Sequence, residues 1–124
     1  MKGIVLGIDI GGTNTVFGLV DKSGNIISQN KISTRGNEPP NTLINRIREK
    51  VDSLLNETPN LELLGVGVGA PNAIHFTGII QNPPNLSWGD VNIVSIISEK
   101  FLSNVKLTND ANAAALGEKH YGVA

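Results

Sequence analysis

The sequence predicts an α/β fold: a mixed five-stranded sheet, made of a three-stranded antiparallel meander plus parallel strands, with helices packed on it. Two observations carry this. Three stretches of strand character stand together at the start, joined by short turns. Beyond residue 40 the apolar residues take up a helical period, and strand-like and helix-like segments then alternate, the order that gives right-handed crossovers onto one sheet.

Residues 3–10, GIVLGIDI, are a near-continuous apolar run of the length of a buried strand. Residues 15–21, TVFGLVD, form a second strand, and residues 26–33, IISQNKIS, a third. Between them DKSGN (21–25) is a turn, because Gly24-Asn25 tolerates positive φ. In 40–57 Leu43, Ile44, Ile47, Val51, Leu54 and Leu55 share one helical face. Asn41 or Thr42 is expected to cap that helix, and Pro59 lies beyond its end. Arg46, Arg48 and Lys50 read as its wet face. LLGVGVG (63–69) is a fourth, buried strand parallel to the first. Residues 70–90 form a long irregular segment with short extended pieces, a length more common in functional loops than idle ones. A second helix is expected over 91–102, a fifth strand over 105–108 and an alanine-rich helix over 111–120.

Composition narrows the function classes. The 124 residues fit one domain or one lobe of a larger protein. With 40% apolar and 17% charged residues the chain is not of disordered type. Its formal charge is −1 and no basic run stands out, so nothing is built to neutralise nucleic-acid phosphates. There are no cysteines, which excludes disulfides and thiolate zinc ligands within these residues. The first residues lack signal-peptide character, and no apolar run approaches the roughly 20 residues that span a bilayer. A cytoplasmic domain without a membrane partner is therefore expected.

The break in the first apolar run, GIDIGGTNT (7–15), is the first chemical signal. Gly11 and Gly12 remove Cβ atoms where the chain reverses, so backbone N–H groups can face an anion closely. Thr13 and Asn14 add side-chain donors. Asp9, at the end of the strand, is suited to orient a magnesium ion, which takes few protein ligands beside water and phosphate oxygens. A plain glycine hairpin with a solvent-facing aspartate explains the same residues, and both readings stay open. The spacing matches neither GxGxxG nor GxxxxGK[ST], and no helix follows, which argues against both of those nucleotide-binding classes.

TNDANAAALGE (108–118) is the second signal. Asn109 and Asp110 stand where a strand ends and a helix is expected to begin, so helix capping explains them as well as chemistry does. In the long loop, Asn72 and Asn85 can both donate to and accept from vicinal hydroxyls, and each also suits turn chemistry beside Pro71 and Pro84. Trp88, the only tryptophan, reads as a packing anchor for that loop. His75 and His120 show no metal-ligand spacing.

DIGGTNTVFGLVD resembles the first phosphate motif of sugar kinases in the hexokinase–actin superfamily, and more closely that of the ROK family (repressors, open reading frames, kinases). GVGVGAPNAIHFTGII resembles the family's GxGxPG segment followed by a small hairpin, NPPNLSWGD its asparagine–leucine–tryptophan sugar loop, and TNDANAAALGE its signature around the catalytic aspartate. The family often has glycine where this chain has Asn72. The resemblance implies a ribonuclease H-like, actin-like ATPase lobe and ATP-dependent phosphorylation of a hexose, foremost glucose to glucose 6-phosphate. An N-acetylhexosamine or fructose kinase is the alternative, and a ROK-type sugar-responsive transcriptional regulator the alternative of another class. It implies that Asp9, Gly11, Gly12, Thr13 and Asn14 bind the phosphates of Mg-ATP, that Asp110 is the general base, and that Asn72, Asn85, Asn109 and Asp110 hold the sugar.

Family regulators carry a helix-turn-helix ahead of the phosphate motif. With Asp9 nine residues in and no basic patch, the expectation here is a kinase with no nucleic-acid partner. Residues 1–124 are expected to be its N-terminal lobe. The second lobe, with further sugar-binding acids, a structural zinc site and the adenosine surface, is expected elsewhere. The lobe alone is expected to be inactive and the full-length protein to be a homo-oligomer.

Overall fold

The computed structural model describes residues 2–70, 72–74, 77–83, 86–101 and 104–108. Strands β1 (Lys2–Ile10), β2 (Asn14–Asp21) and β3 (Ile26–Ser33) form the expected meander; helix α1 (Pro40–Glu57) and strand β4 (Leu61–Gly69) follow. Three two-residue strands, β5 (Ala73–Ile74), β6 (Ile79–Ile80) and β7 (Val91–Asn92), precede helix α2 (Ile93–Phe101) and strand β8 (Asn104–Thr108). The main sheet has the order β3-β2-β1-β4-β8, with β1 antiparallel to β2 and parallel to β4, and β4 parallel to β8. The expected helix over 111–120 lies outside the described residues.

β1 is central, so it needs cover on both faces, and its sequence supplies apolar residues at nearly every position. Alternation sends Ile4, Leu6, Ile8 and Ile10 to one face. There they join Phe17 and Leu19 of β2, Val66 and Val68 of β4, Leu43, Ile44, Ile47 and Val51 of α1, and Ile93, Ile97 and Phe101 of α2 in one core. Each large aliphatic side chain buried there contributes about 1.5–3 kcal/mol. The opposite face of the same rows carries Gly7, opposite Gly18 on one side and Gly67 on the other, and ends at Asp9 opposite Gly69.

Several local expectations change. Helix α1 starts earlier than a cap at Asn41 or Thr42 requires: Pro39 is its N-cap residue, no side chain caps it, and Pro40 occupies the first turn. Proline's fixed φ pre-organises that position and its missing N–H needs no partner, so the backbone starts the helix unaided. The second helix begins at Ile93 instead of residue 91, because Val91 and Asn92 pair with Ile80 and Ile79 as a strand. Asn92 Oδ1 then accepts the Ser95 amide at 3.1 Å. The irregular segment thus supplies β5 and β6 of a second small antiparallel sheet, β5-β6-β7, whose third strand is Val91–Asn92. Arg46 is not on a wet face: its guanidinium donates to the carbonyls of Ser33 at 2.7 Å and Thr34 at 3.0 Å.

Ile47 sits fully buried where α1 meets the sheet. Ile47→Ala is expected to destabilise the chain by about 2–5 kcal/mol, read as a lowered urea midpoint at unchanged slope. A stability loss under about 1 kcal/mol, the midpoint shift multiplied by the slope, would show that α1 does not carry the core.

Candidate functional site

The residues that β1 places beyond its core stretch form a tight reversal. The Gly11 amide donates to the Asn14 carbonyl at 3.0 Å. A Cβ at residue 11 would stand 2.6 Å from that carbonyl oxygen, so only glycine fits. The turn is pinned from behind by Thr34. Its amide donates to the Thr13 carbonyl at 2.9 Å and its hydroxyl to the Gly11 carbonyl at 2.7 Å. With that proton committed, the 2.8 Å contact between the two buried hydroxyls has Thr15 Oγ1 donating to Thr34 Oγ1. The outer side of the turn is left free. Thr13 and Asn14 are exposed, and among the described residues the amides of Gly12 and Thr13 and the side chains of Thr13 and Asn14 have no partner. These are the donors an anion needs.

Asp9 is half-buried, and burial raises its pKa above the ordinary 3.8. No described group hydrogen-bonds to its carboxylate. Asp21, in the neighbouring strand, behaves oppositely. It accepts the Asn25 and Ser23 amides at 2.9 Å each and lies 3.1 Å from Lys2 Nζ, and the Asn25 amide chiefly holds its pKa low. One aspartate is consumed by a turn; the carboxylate of the other is unpaired among the described residues. Among the described residues no group of three or more His, Cys, Asp or Glu side chains could hold a metal ion. A magnesium ion at Asp9 would have one described carboxylate, and magnesium favours few protein ligands completed by water and phosphate oxygens.

Three parallel strands, β1, β4 and β8, end level with one another. Asp9 pairs with Gly69, and Gly69 with Thr108. Two strand spacings put the Asp9 and Thr108 backbones about 10 Å apart. In open α/β sheets ligands bind beyond such carboxyl ends. The turn at 11–14 follows β1, the irregular segment follows β4, and Asn109 and Asp110 follow β8 in sequence. Asn85, Asn109 and Asp110 themselves lie outside the described residues. Asn72 is exposed with φ 56°, and its carbonyl accepts the Gln81 amide at 3.0 Å at the neck of the β5–β6 hairpin. That left-handed backbone explains why asparagine stands where glycine is usual, since asparagine is the residue that best replaces glycine there.

One group absent from the sequence reading emerges. Thr34 has no motif around it that marks a buried hydroxyl. Trp88 Nε1 donates to the Glu38 carbonyl at 2.8 Å, and the Ser87 amide to the Gly36 carbonyl at 2.8 Å. Trp88 is thus the anchor its sequence context suggests, and its mooring is the segment after β3.

The family model described as "ROK family" matches residues 5–124. A glucokinase of Streptomyces coelicolor is 31% identical over 121 residues, covering 97% of this chain and 37% of that protein. A xylose repressor of Caldicellulosiruptor bescii is 31% identical over 123 residues, covering 97% of this chain and 31% of the repressor. The solved structure of a ROK family glucokinase from Streptomyces griseus in complex with glucose and AMPPNP superposes with a TM-score of 0.74 at 29% identity, over 97% of this chain and 37% of that one. The chain spans about a third of the length of these relatives.

The raised pKa of Asp9 gives a signed expectation. Because the fold disfavours the charged form, the stability linked to Asp9 is complete below the ordinary value of 3.8 and is lost as pH rises through the raised one. Asp9→Asn removes that loss. Thermal melts should show Asp9→Asn above the native chain at neutral pH, with the gap closing in acid. Equal melting temperatures at both pH values would show that the Asp9 carboxylate is fully hydrated.

Proposed function

The chain belongs to the ROK family, and from that membership we propose that residues 1–124 are the N-terminal lobe of an ATP-dependent hexose kinase acting on glucose. The observation that carries this is the alignment of Asp9 and Thr108 at the shared ends of β1, β4 and β8. It supports a single site in which the turn 11–14 meets phosphate oxygens and Asp110 meets the sugar hydroxyl. ATP supplies the transferred phosphoryl group, and magnesium beside Asp9 would neutralise its charge. The residues of this chain then orient and deprotonate. Asn72, Asn85 and Asn109 hold sugar hydroxyls, each both donating and accepting. The Asp110 carboxylate accepts a hydrogen bond from the 6-hydroxyl and aims its oxygen in line at the γ-phosphorus. As the new O–P bond forms and the bond to ADP breaks, the proton passes to Asp110. Phosphoryl transfer asks mainly for positioning and charge stabilisation, and this division of labour provides both. The second lobe supplies the adenosine surface, and the whole protein is proposed to be a cytoplasmic homo-oligomer.

A second reading has its own support. The xylose repressor and the glucokinase are equally identical to this chain, at 31%, so a sugar-responsive regulator shares the same similarity. Presence of both Asp9 and Asp110 favours the kinase, since a sensor needs to bind sugar and not to deprotonate it.

Coupled ADP-release assays on the whole protein with a panel of free sugars decide between these. Turnover with glucose, ATP and magnesium is expected. Preference for an N-acetylated sugar or fructose would move the substrate and keep the kinase. Sugar binding without turnover on any sugar would leave the regulator.

Asp110→Asn separates base from helix cap. Asparagine caps about as well as aspartate, so the melting temperature should hold. Turnover should fall by about 10²–10⁴-fold, the usual share of a general base, while sugar affinity falls far less. Normal turnover in the variant would remove Asp110 from the mechanism.

A further inference from the structure

Residues 34–38 touch both loops that the proposed reaction uses. At one end, Thr34 holds the carbonyls of Gly11 and Thr13 through its hydroxyl and amide. At the other, the carbonyls of Gly36 and Glu38 receive the Ser87 amide and the Trp88 indole N–H. Between these ends the segment is stiffened. The Glu38 amide donates to the Arg35 carbonyl at 2.9 Å, closing a turn, and Arg35 sits in the left-handed region at φ 55°. Arg46 reaches from α1 to the carbonyls of Ser33 and Thr34, anchoring the segment to the helix. Thr34 is 1% exposed and Thr15 fully buried, so neither hydroxyl can exchange its partner for water.

We propose that residues 34–38 are a strut that fixes the loop carrying Trp88 in register with the turn 11–14, and that Thr34 is the positioning residue for that turn. This rests on the reading of 11–14 as the phosphate turn and of the loop at 85–88 as the sugar loop. Nucleophile and phosphoryl group react only when aligned to within a fraction of an ångström. A five-residue link with hydrogen bonds at both ends sets that alignment before substrates arrive. The hydroxyl of Thr34 is what the turn needs: valine of the same shape leaves the Gly11 carbonyl and the Thr15 hydroxyl buried without a partner.

A double-mutant cycle on the whole enzyme tests this. Thr34→Val removes the hydroxyl link to the turn, and Trp88→Phe keeps an aromatic ring but removes the indole link to Glu38, so each loosens one end of the strut. Each alone is expected to lower kcat about tenfold. Together they are expected to lower it little further, because once one end is free the other no longer transmits position. Thr34→Ser should restore native kcat. A second readout does not depend on turnover or on folding of the valine variant: Trp88→Phe should speed hydrogen–deuterium exchange in peptides covering residues 10–15 and 33–36. Multiplicative losses near a hundredfold, single variants with native kcat, failure of serine to rescue, or unchanged exchange in Trp88→Phe would each overturn the strut. If the native protein shows no turnover, the kinase reading fails while the exchange measurement still decides the strut.

Discussion

β1 is the constraint on which the molecule depends. It is hydrogen-bonded along both edges, antiparallel to β2 and parallel to β4. A strand so placed exposes neither edge, and its two faces must satisfy different demands. The even-numbered positions, Ile4 to Ile10, give the core against which both described helices pack. The odd-numbered positions shrink to glycine at residue 7 and end in a carboxylate at residue 9. Shifting the register by one residue would turn Asp9 toward the helices and the isoleucines away from them, so packing energy and site geometry select the same register. The position of Asp9 is therefore enforced by hydrophobic burial several residues away.

The two aspartates of the β1–β2 hairpin show how one residue type serves opposite ends. Asp21 is satisfied by two backbone amides and Lys2, and its charge is stabilised. Asp9 has no described partner, and its charge is disfavoured by the surrounding low-dielectric strands. A half-buried carboxylate without a partner among the described residues is a local cost to the fold, and such costs concentrate where a ligand completes the environment. The turn beside it follows the same logic. Thr34 satisfies its inner carbonyls, while its outer amides stay open.

Much of this was legible from residue order. The meander, α1 over Pro40–Glu57 and the parallel β4 follow from period and turn chemistry, because each is set by neighbours in the chain. What was not legible depends on partners far along the sequence. Val91 and Asn92 carry the apolar pattern of a helix start, yet β6 was free to take them as a strand. Arg46 has the spacing of a solvent-facing residue, yet its guanidinium is taken up by carbonyls twelve and thirteen residues away. The glycine-like demand at Asn72 is a φ angle, which composition does not reveal.

By itself the sequence determined the five strands of the main sheet and helix α1, and it named Asp9, Gly11, Gly12, Thr13, Asn14 and Asp110 as candidates, because each stands at a break in a periodic pattern. The tertiary structure alone decided that the strands leading into these breaks end together. That depends on β4 and β8 both running parallel to β1, so that three strands end on one row. It also decided that Thr34 supports the turn and that Trp88 is moored at Glu38. Those contacts join residues 23 and 50 positions apart, and hydrogen bonds of such span exist only once the hydrophobic core has brought the segments together.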